Sequence, residues 1–195
     1  MSRTKVKQNL IDASFGNILE QIAYMADGST ITTSAGNITV PNVTTRQDIS
    51  GTSYVDLTGT NISYAPPSGA TSVLYEVLFS YSYNTLGTSG NVAPSIRVTV
   101  DGTQIDKSRK GHLVSGSVYD AEMNVKIPIR ITGASDNIAS GTVASWSSAK
   151  TIKTQIATYN TDTYRFAVNQ SYYGPGYGAN NTFIVPPFIK ITAYS

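Results

Sequence analysis

Residues 73–83 read VLYEVLFSYSY. In an extended chain Val73, Tyr75, Val77, Phe79, Tyr81 and Tyr83 share one face, and Leu74, Glu76, Leu78, Ser80 and Ser82 share the other. Period-two alternation in β-branched and aromatic residues predicts a long strand with one buried, aromatic-rich side. The second face is not wholly polar. Leu74 and Leu78 on an exposed strand face suit a subunit interface, and Glu76 between them needs a partner if it is buried.

The same alternation extends in both directions. Residues 94–106 (PSIRVTVDGTQID) set Asp101-Gly102 between alternating runs, a strong hairpin signal, with Ile96, Val98 and Val100 inward and Arg97 and Thr99 outward. Residues 122–132 (EMNVKIPIRIT) put Val125, Ile127, Ile129 and Ile131 on one face, and Pro128 argues for an edge strand. KTIKTQIATY (150–159) suits helix or strand, and its threonines and surroundings favour strand; Tyr164–Val168 and the closing FIKITAYS, after Pro186-Pro187, complete the set. About eight short strands separated by Gly, Pro, Asn and Ser turns predict a sandwich or jelly roll.

Upstream, the pattern changes. Ile11, Phe15, Ile18, Ile22 and Met25 are spaced 4, 3, 4, 3, which predicts a helix over about 8–26 with an a/d seam. Isoleucine at both seam positions favours more than two strands in a coiled coil, so the seam suits either a trimeric neck or a helix packed on its own domain. Residues 28–45 repeat short Thr-rich alternations, with Pro41 against a central strand, and read as an extended connecting neck or an edge segment. The expected architecture is therefore all-β: a jelly-roll β-sandwich head over 46–195, preceded by a 1–45 attachment segment of short N-terminal helix and neck.

Composition narrows the chemistry. The chain has 195 residues, 40% hydrophobic and 13% charged, a net charge of +2 and no cysteine. Disulfides and Cys-based metal sites are excluded, and so small a charge gives no reason to expect nucleic acid or an acidic membrane surface. No apolar run approaches the roughly 18 residues of a membrane span, and the N-terminus lacks the apolar core of a secretory signal. His112, in KGHLVSG, is the lone histidine and reads as a surface residue; no serine sits in a nucleophile elbow. Asp101, Asp106, Asp120, Glu122, Asp136 and Asp162 lie mainly in turns, where turn chemistry explains them. No catalytic residue, cofactor or metal is expected. The candidate recognition loop is SYYGPGYG (171–178), with Tyr172, Tyr173 and Tyr177, joined by Trp146 in ASWSSAK; both also suit packing.

RQDISGTSYVDLTGTNISY (46–64), VLYEVLFSYSYN, SIRVTVDGTQI and FIKITAYS together resemble the C-terminal heads of phage virion proteins with a C1q/TNF-like jelly roll. The resemblance spans about 46–195 and implies a homotrimeric, non-enzymatic capsid decoration, spike or short tail appendage. It implies residence on the virion, while the absence of cysteine and of a signal segment leads us to expect synthesis in the host cytoplasm. Partners would be other virion proteins through the N-terminal segment and a host-surface glycan or protein. The alternative expectation is a stand-alone carbohydrate-binding module; a glycoside hydrolase is the third.

Overall fold

The structure, a computed structural model, describes residues 16–83, 92–114, 120–159, 165–171 and 183–195. Its strands are β1 (Ile18–Met25), β2 (Thr30–Thr33), β3 (Gly36–Thr39), β4 (Gln47–Ile49), β5 (Val55–Asp56) and β6 (Ile62–Tyr64). Then follow β7 (Ser72–Tyr83), β8 (Pro94–Val100), β9 (Thr103–Gln104), β10 (Lys110–Gly111), β11 (Ala121–Ile131) and β12 (Thr142–Val143). The last are β13 (Lys150–Thr158), β14 (Phe166–Val168), β15 (Gln170–Ser171), β16 (Phe183–Ile184) and β17 (Phe188–Tyr194). Among the described residues the only helical turns are short 3₁₀ pieces at Asp106–Ser108 and Ile138–Ser140.

The quoted strand, β7, lies inside a seven-stranded sheet ordered β1-β17-β7-β11-β12, with β14 paired to the last three residues of β7 and β4 paired to β14. A six-stranded sheet, β10-β8-β13-β5 with β6 and β9 alongside, packs against it. The two sheets form a β-sandwich consistent with a jelly roll. Val73, Tyr75, Val77, Phe79 and Tyr81 are all buried, as alternation predicts, and meet Ile96, Val98, Val100, Ile152 and Ile156 of the other sheet in one core. Asp101 and Gly102 both have positive φ (48° and 81°) and join β8 to β9 with Val100 opposite Thr103, the two-residue turn that matches strand twist. The 150–159 run is strand over Lys150–Thr158, paired with β8 from Ile152 to Thr158 and with β6 at its start. Pro128 sits in β11 opposite Leu74. The Ile131 amide points to Thr71 O beside β7 and the Arg130 amide to Gly141 O, so the Pro128 nitrogen faces away from β7, where a donor is dispensable.

The expected helix over 8–26 is corrected for its C-terminal part: Ile18–Met25 is strand β1, antiparallel to β17. The physical reason is an ambiguity in the spacing. Ile18 and Ile22 share a face in both a helix and a strand, because four is even. Tyr24 and Ala26 break the tie: with Ile22 they are buried, while Gln21, Ala23 and Met25 are exposed. The proposed seam is therefore split, with Ile22 in the core and Ile18 (58% exposed) and Met25 (40% exposed) outside it. Ile11 and Phe15 lie outside the described residues. The neck is also part of the packing: β2 and β3 form a hairpin, and Val40 and Val43 are buried in the common core.

Two buried tyrosines show what a hydroxyl costs or contributes here. Tyr75 bridges the sheets, its hydroxyl 3.1 Å from Thr154 Oγ1 and 3.4 Å from Thr60 O; burial pushes its pKa up to about 12. The Tyr24 hydroxyl is buried with no partner, and burial, with the nearby Tyr75, pushes it higher still. Tyr24→Phe is expected to leave stability unchanged or raise it by up to about 1 kcal/mol, whereas Tyr75→Phe is expected to cost about 1–2 kcal/mol, because Thr154 loses its partner. Urea denaturation of both variants checks the contrast; equal losses would refute it.

Candidate functional site

The outer face of the six-stranded sheet is where polar chemistry gathers. On β8 and β13 the inward set is Ile96, Val98 and Val100 with Ile152, Thr154 and Ile156, so alternation sends Ser95, Arg97 and Thr99 outward beside Ala157, Gln155 and Lys153, their register partners. β5 pairs with the same strand, Asp56 opposite Gln155, and brings Tyr54 to this face. β9 folds back on β8 through the Asp101-Gly102 turn and sets Gln104 opposite Thr99.

These side chains form one bonded array. The Arg97 guanidinium lies over the Tyr54 ring, 4.4 Å from its centroid, a cation–π contact. Arg97 Nε donates to Gln155 Oε1 at 2.7 Å and Nη1 donates to Gln104 Oε1 at 3.0 Å. Each glutamine turns its amide nitrogen to an acid: Gln155 Nε2 donates to Asp56 Oδ1 at 2.8 Å and Gln104 Nε2 to Asp106 Oδ1 at 3.0 Å. Lys153 Nζ lies 2.7 Å from Asp56 Oδ2, and the lysine and Gln155 contacts together hold the Asp56 carboxyl below its ordinary value. The Tyr54 hydroxyl is 2.6 Å from Ser95 Oγ. Beside the array is a shallow, open depression lined by Asn61, Ser63, Thr99, Asp101, Lys153 and Gln155. Every side chain named there can offer or accept hydrogen bonds, and none is apolar.

The opposite outer face, on the seven-stranded sheet, differs. Glu76 of β7 is buried between Lys126 of β11 (Nζ–Oε1 2.8 Å) and Lys190 of β17 (Nζ–Oε2 3.2 Å), its register partners on either side. The 3.2 Å contact is an ion pair at an angle short of a hydrogen bond. Burial raises the Glu76 pKa, but the two lysines outweigh it and hold the carboxyl below its ordinary value. The partner that the sequence demanded for Glu76 is thus supplied twice. Leu74 and Leu78, on either side of it, are half-buried.

The sequence-singled residues fall elsewhere. Trp146 is buried; its indole Nε1 donates to Tyr64 O at 2.9 Å and its ring meets Tyr64 edge-on at 6.4 Å. It borders a groove shared with Pro66, Pro67 and Ile131, but at 5% exposure little of its ring is presented to solvent. His112 is exposed, with Nδ1 2.6 Å from the hydroxyl of buried Tyr81. Tyr172, Tyr173 and Tyr177 lie outside the described residues. The acids do not converge: Asp101 accepts from the Thr151 amide, Asp120 from Ser171, and Asp136 from the Ala144 amide. Asp162 lies outside the described residues, and among those described no cluster of three His, Asp or Glu could hold a metal. Sequence reading placed Arg97 outward but missed Tyr54, Gln155 and Gln104 as its companions.

No protein-family profile matches the chain, and no curated protein does. Solved structures overlap it loosely. The EclA C-terminal domain, described as a sugar-binding protein, is 8% identical, with 67% of this chain and 78% of that one covered at a TM-score of 0.35. CBM35 from Paenibacillus barcinonensis is 13% identical over 89% of this chain and 98% of that one at a TM-score of 0.26. A structure of infectious bursal disease virus, Gx strain, is 14% identical over 86% and 42% at a TM-score of 0.25. Overlaps this loose carry neither fold nor function to the chain, whose β-sandwich rests on its own strand pairing.

Proposed function

We propose that the chain is a non-catalytic recognition module that binds polysaccharide on the outer face of its six-stranded sheet. One observation carries this reading: the Tyr54–Arg97–Gln155 array, fixed on β-strands beside an open depression lined by hydroxyl, amide and carboxylate groups. A sugar ring offers adjacent hydroxyls along a flat body. Planar amide and guanidinium groups match such pairs, and an aromatic ring supplies apolar contact at little entropic cost. Hydrolysis would ask for two acids across a cleft; the acids on this face are instead tied to Lys150, Lys153 and the glutamines. Affinity gel electrophoresis against a panel of soluble polysaccharides tests the reading. At least one should retard the protein, and Tyr54→Ala should weaken that retardation about tenfold, a loss of roughly 1.4 kcal/mol. No retardation by any polysaccharide, or retardation indifferent to Tyr54→Ala, would overturn it.

A second reading is a multi-copy structural head on a virus particle, docked through its N-terminal segment. What favours it is the outer face of the seven-stranded sheet, where half-buried Leu74, Leu78 and Phe188 surround the Glu76 ion pairs and Met25 stands 40% exposed nearby. Closed trimer symmetry would cover such a face. Light scattering separates the readings: a mass near three times 20.8 kDa supports assembly, and 20.8 kDa itself leaves only the first.

A further inference from the structure

Arg97 differs from its charged neighbours. Lys153 is matched by Asp56 and Lys150 by Asp101, at 2.7 and 3.4 Å. No carboxylate lies within ion-pair distance of Arg97 among the described residues; its Nε and Nη1 donate instead to two amide oxygens. Those amides are themselves fixed, because their nitrogens are held by Asp56 and Asp106. Each acid therefore sits one side chain behind a glutamine, and each glutamine shows Arg97 its oxygen. The guanidinium plane is locked over Tyr54, while the two hydrogens on Nη2 have no acceptor among the described residues. A planar cation held in place but left without its counter-charge is prepared to receive one, and little freedom remains to be lost on binding.

A second observation points the same way. Thr99, two residues along β8 on the same face, is 1% exposed, and its hydroxyl has no hydrogen-bond partner. It lines the depression that adjoins the array. A buried hydroxyl without a partner is unusual and calls for an explanation, which a ligand seated in the adjoining depression and reaching it would supply.

We propose that Arg97 is an oxyanion subsite, and that the polysaccharide bound on this face carries a carboxylate or sulfate group that pairs with the free Nη2 side of the guanidinium. This inference rests on the polysaccharide reading above. Arg97, Lys150 and Lys153 are balanced on this face by Asp56, Asp101 and Asp106, so long-range attraction contributes little. Selection comes from the directed, charge-assisted bonds, which are shorter and stronger than neutral ones.

The test is calorimetric titration of the full chain with matched pairs: polygalacturonate against its methyl ester, and dextran sulfate against dextran. The wild type should bind the charged member of one pair at least about tenfold more tightly than its neutral partner, a difference of roughly 1.4 kcal/mol. Which pair shows it distinguishes carboxylate from sulfate. In Arg97→Gln, and in Arg97→Lys, which keeps the charge without the fork, that ratio should fall towards one, with thermal melting confirming the fold. Equal binding of charged and neutral members, or a ratio that survives Arg97→Gln, would overturn the oxyanion subsite and leave the polysaccharide reading standing. Failure of every polysaccharide to bind would overturn both.

Discussion

Trp146→Ala is expected to lower the unfolding free energy by about 3–5 kcal/mol, the largest loss anticipated for a single substitution in this chain. The indole lies 5% exposed between the Pro66–Pro67 turn and the end of β11, edge-on to Tyr64. Its removal forfeits apolar burial and leaves a cavity that the surrounding strands, each fixed in register, close only in part. It also strips the Tyr64 carbonyl of the indole donor at 2.9 Å. Trp146→Phe separates these contributions. The ring is mostly retained, the donor is lost, and the expected cost falls to about 1–3 kcal/mol. Circular dichroism in urea is the suitable measurement, since Trp146 is the sole tryptophan and fluorescence disappears with it. A loss under 1 kcal/mol for the alanine variant would mean that the indole is not packed as described.

Gly59→Ala comes next, with an expected cost of about 2–4 kcal/mol. Gly59 closes the turn between β5 and β6 with φ +95°, a conformation that costs an L-residue roughly 1–2 kcal/mol. A Cβ there would also lie 2.6 Å from Val43 Cγ2 and 2.7 Å from Pro187 Cγ, and overpacking of that kind typically costs about 1–3 kcal/mol. Both neighbours belong to the seam where the segment after β3 and the entry to β17 meet, so the clash has little room to relax. Gly102 isolates the two terms. Its φ is +81° but an added Cβ meets nothing within 4 Å, so Gly102→Ala should show the backbone strain alone. In a chain of this size each kcal/mol shifts the melting temperature by about 2–4 °C, which makes the difference between the two variants measurable by calorimetry. Equal shifts would remove the packing argument at Gly59.

These positions also show what the sequence could disclose. Alternation in VLYEVLFSYSY identified the central strand and its inner face, and Asp-Gly identified the β8–β9 turn, because both are local signals. The segment at Ile18–Met25 misled, because a spacing of four suits either period and only Tyr24 and Ala26, outside the seam, separate the two. Trp146 offered no local clue to burial; its partner Tyr64 is 82 residues away. The Arg97 array was equally hidden. Alternation turns Arg97 outward, but Tyr54 and Gln155 reach it only through strand pairing across 43 and 58 residues, which no short-range pattern encodes. Conversely, the tyrosine-rich stretch 171–178 is conspicuous because its composition stands out over eight residues, and composition is legible without any knowledge of pairing.

The outer face of the six-stranded sheet is tested most directly by mapping amide chemical shifts of the labelled chain as the most strongly retained polysaccharide is added. Perturbations should concentrate on β5, β8 and β13, with Asp56, Arg97 and Gln155 among the largest. Silence on those strands, with shifts confined to the outer residues of β7, β11 and β17, would contradict the assignment.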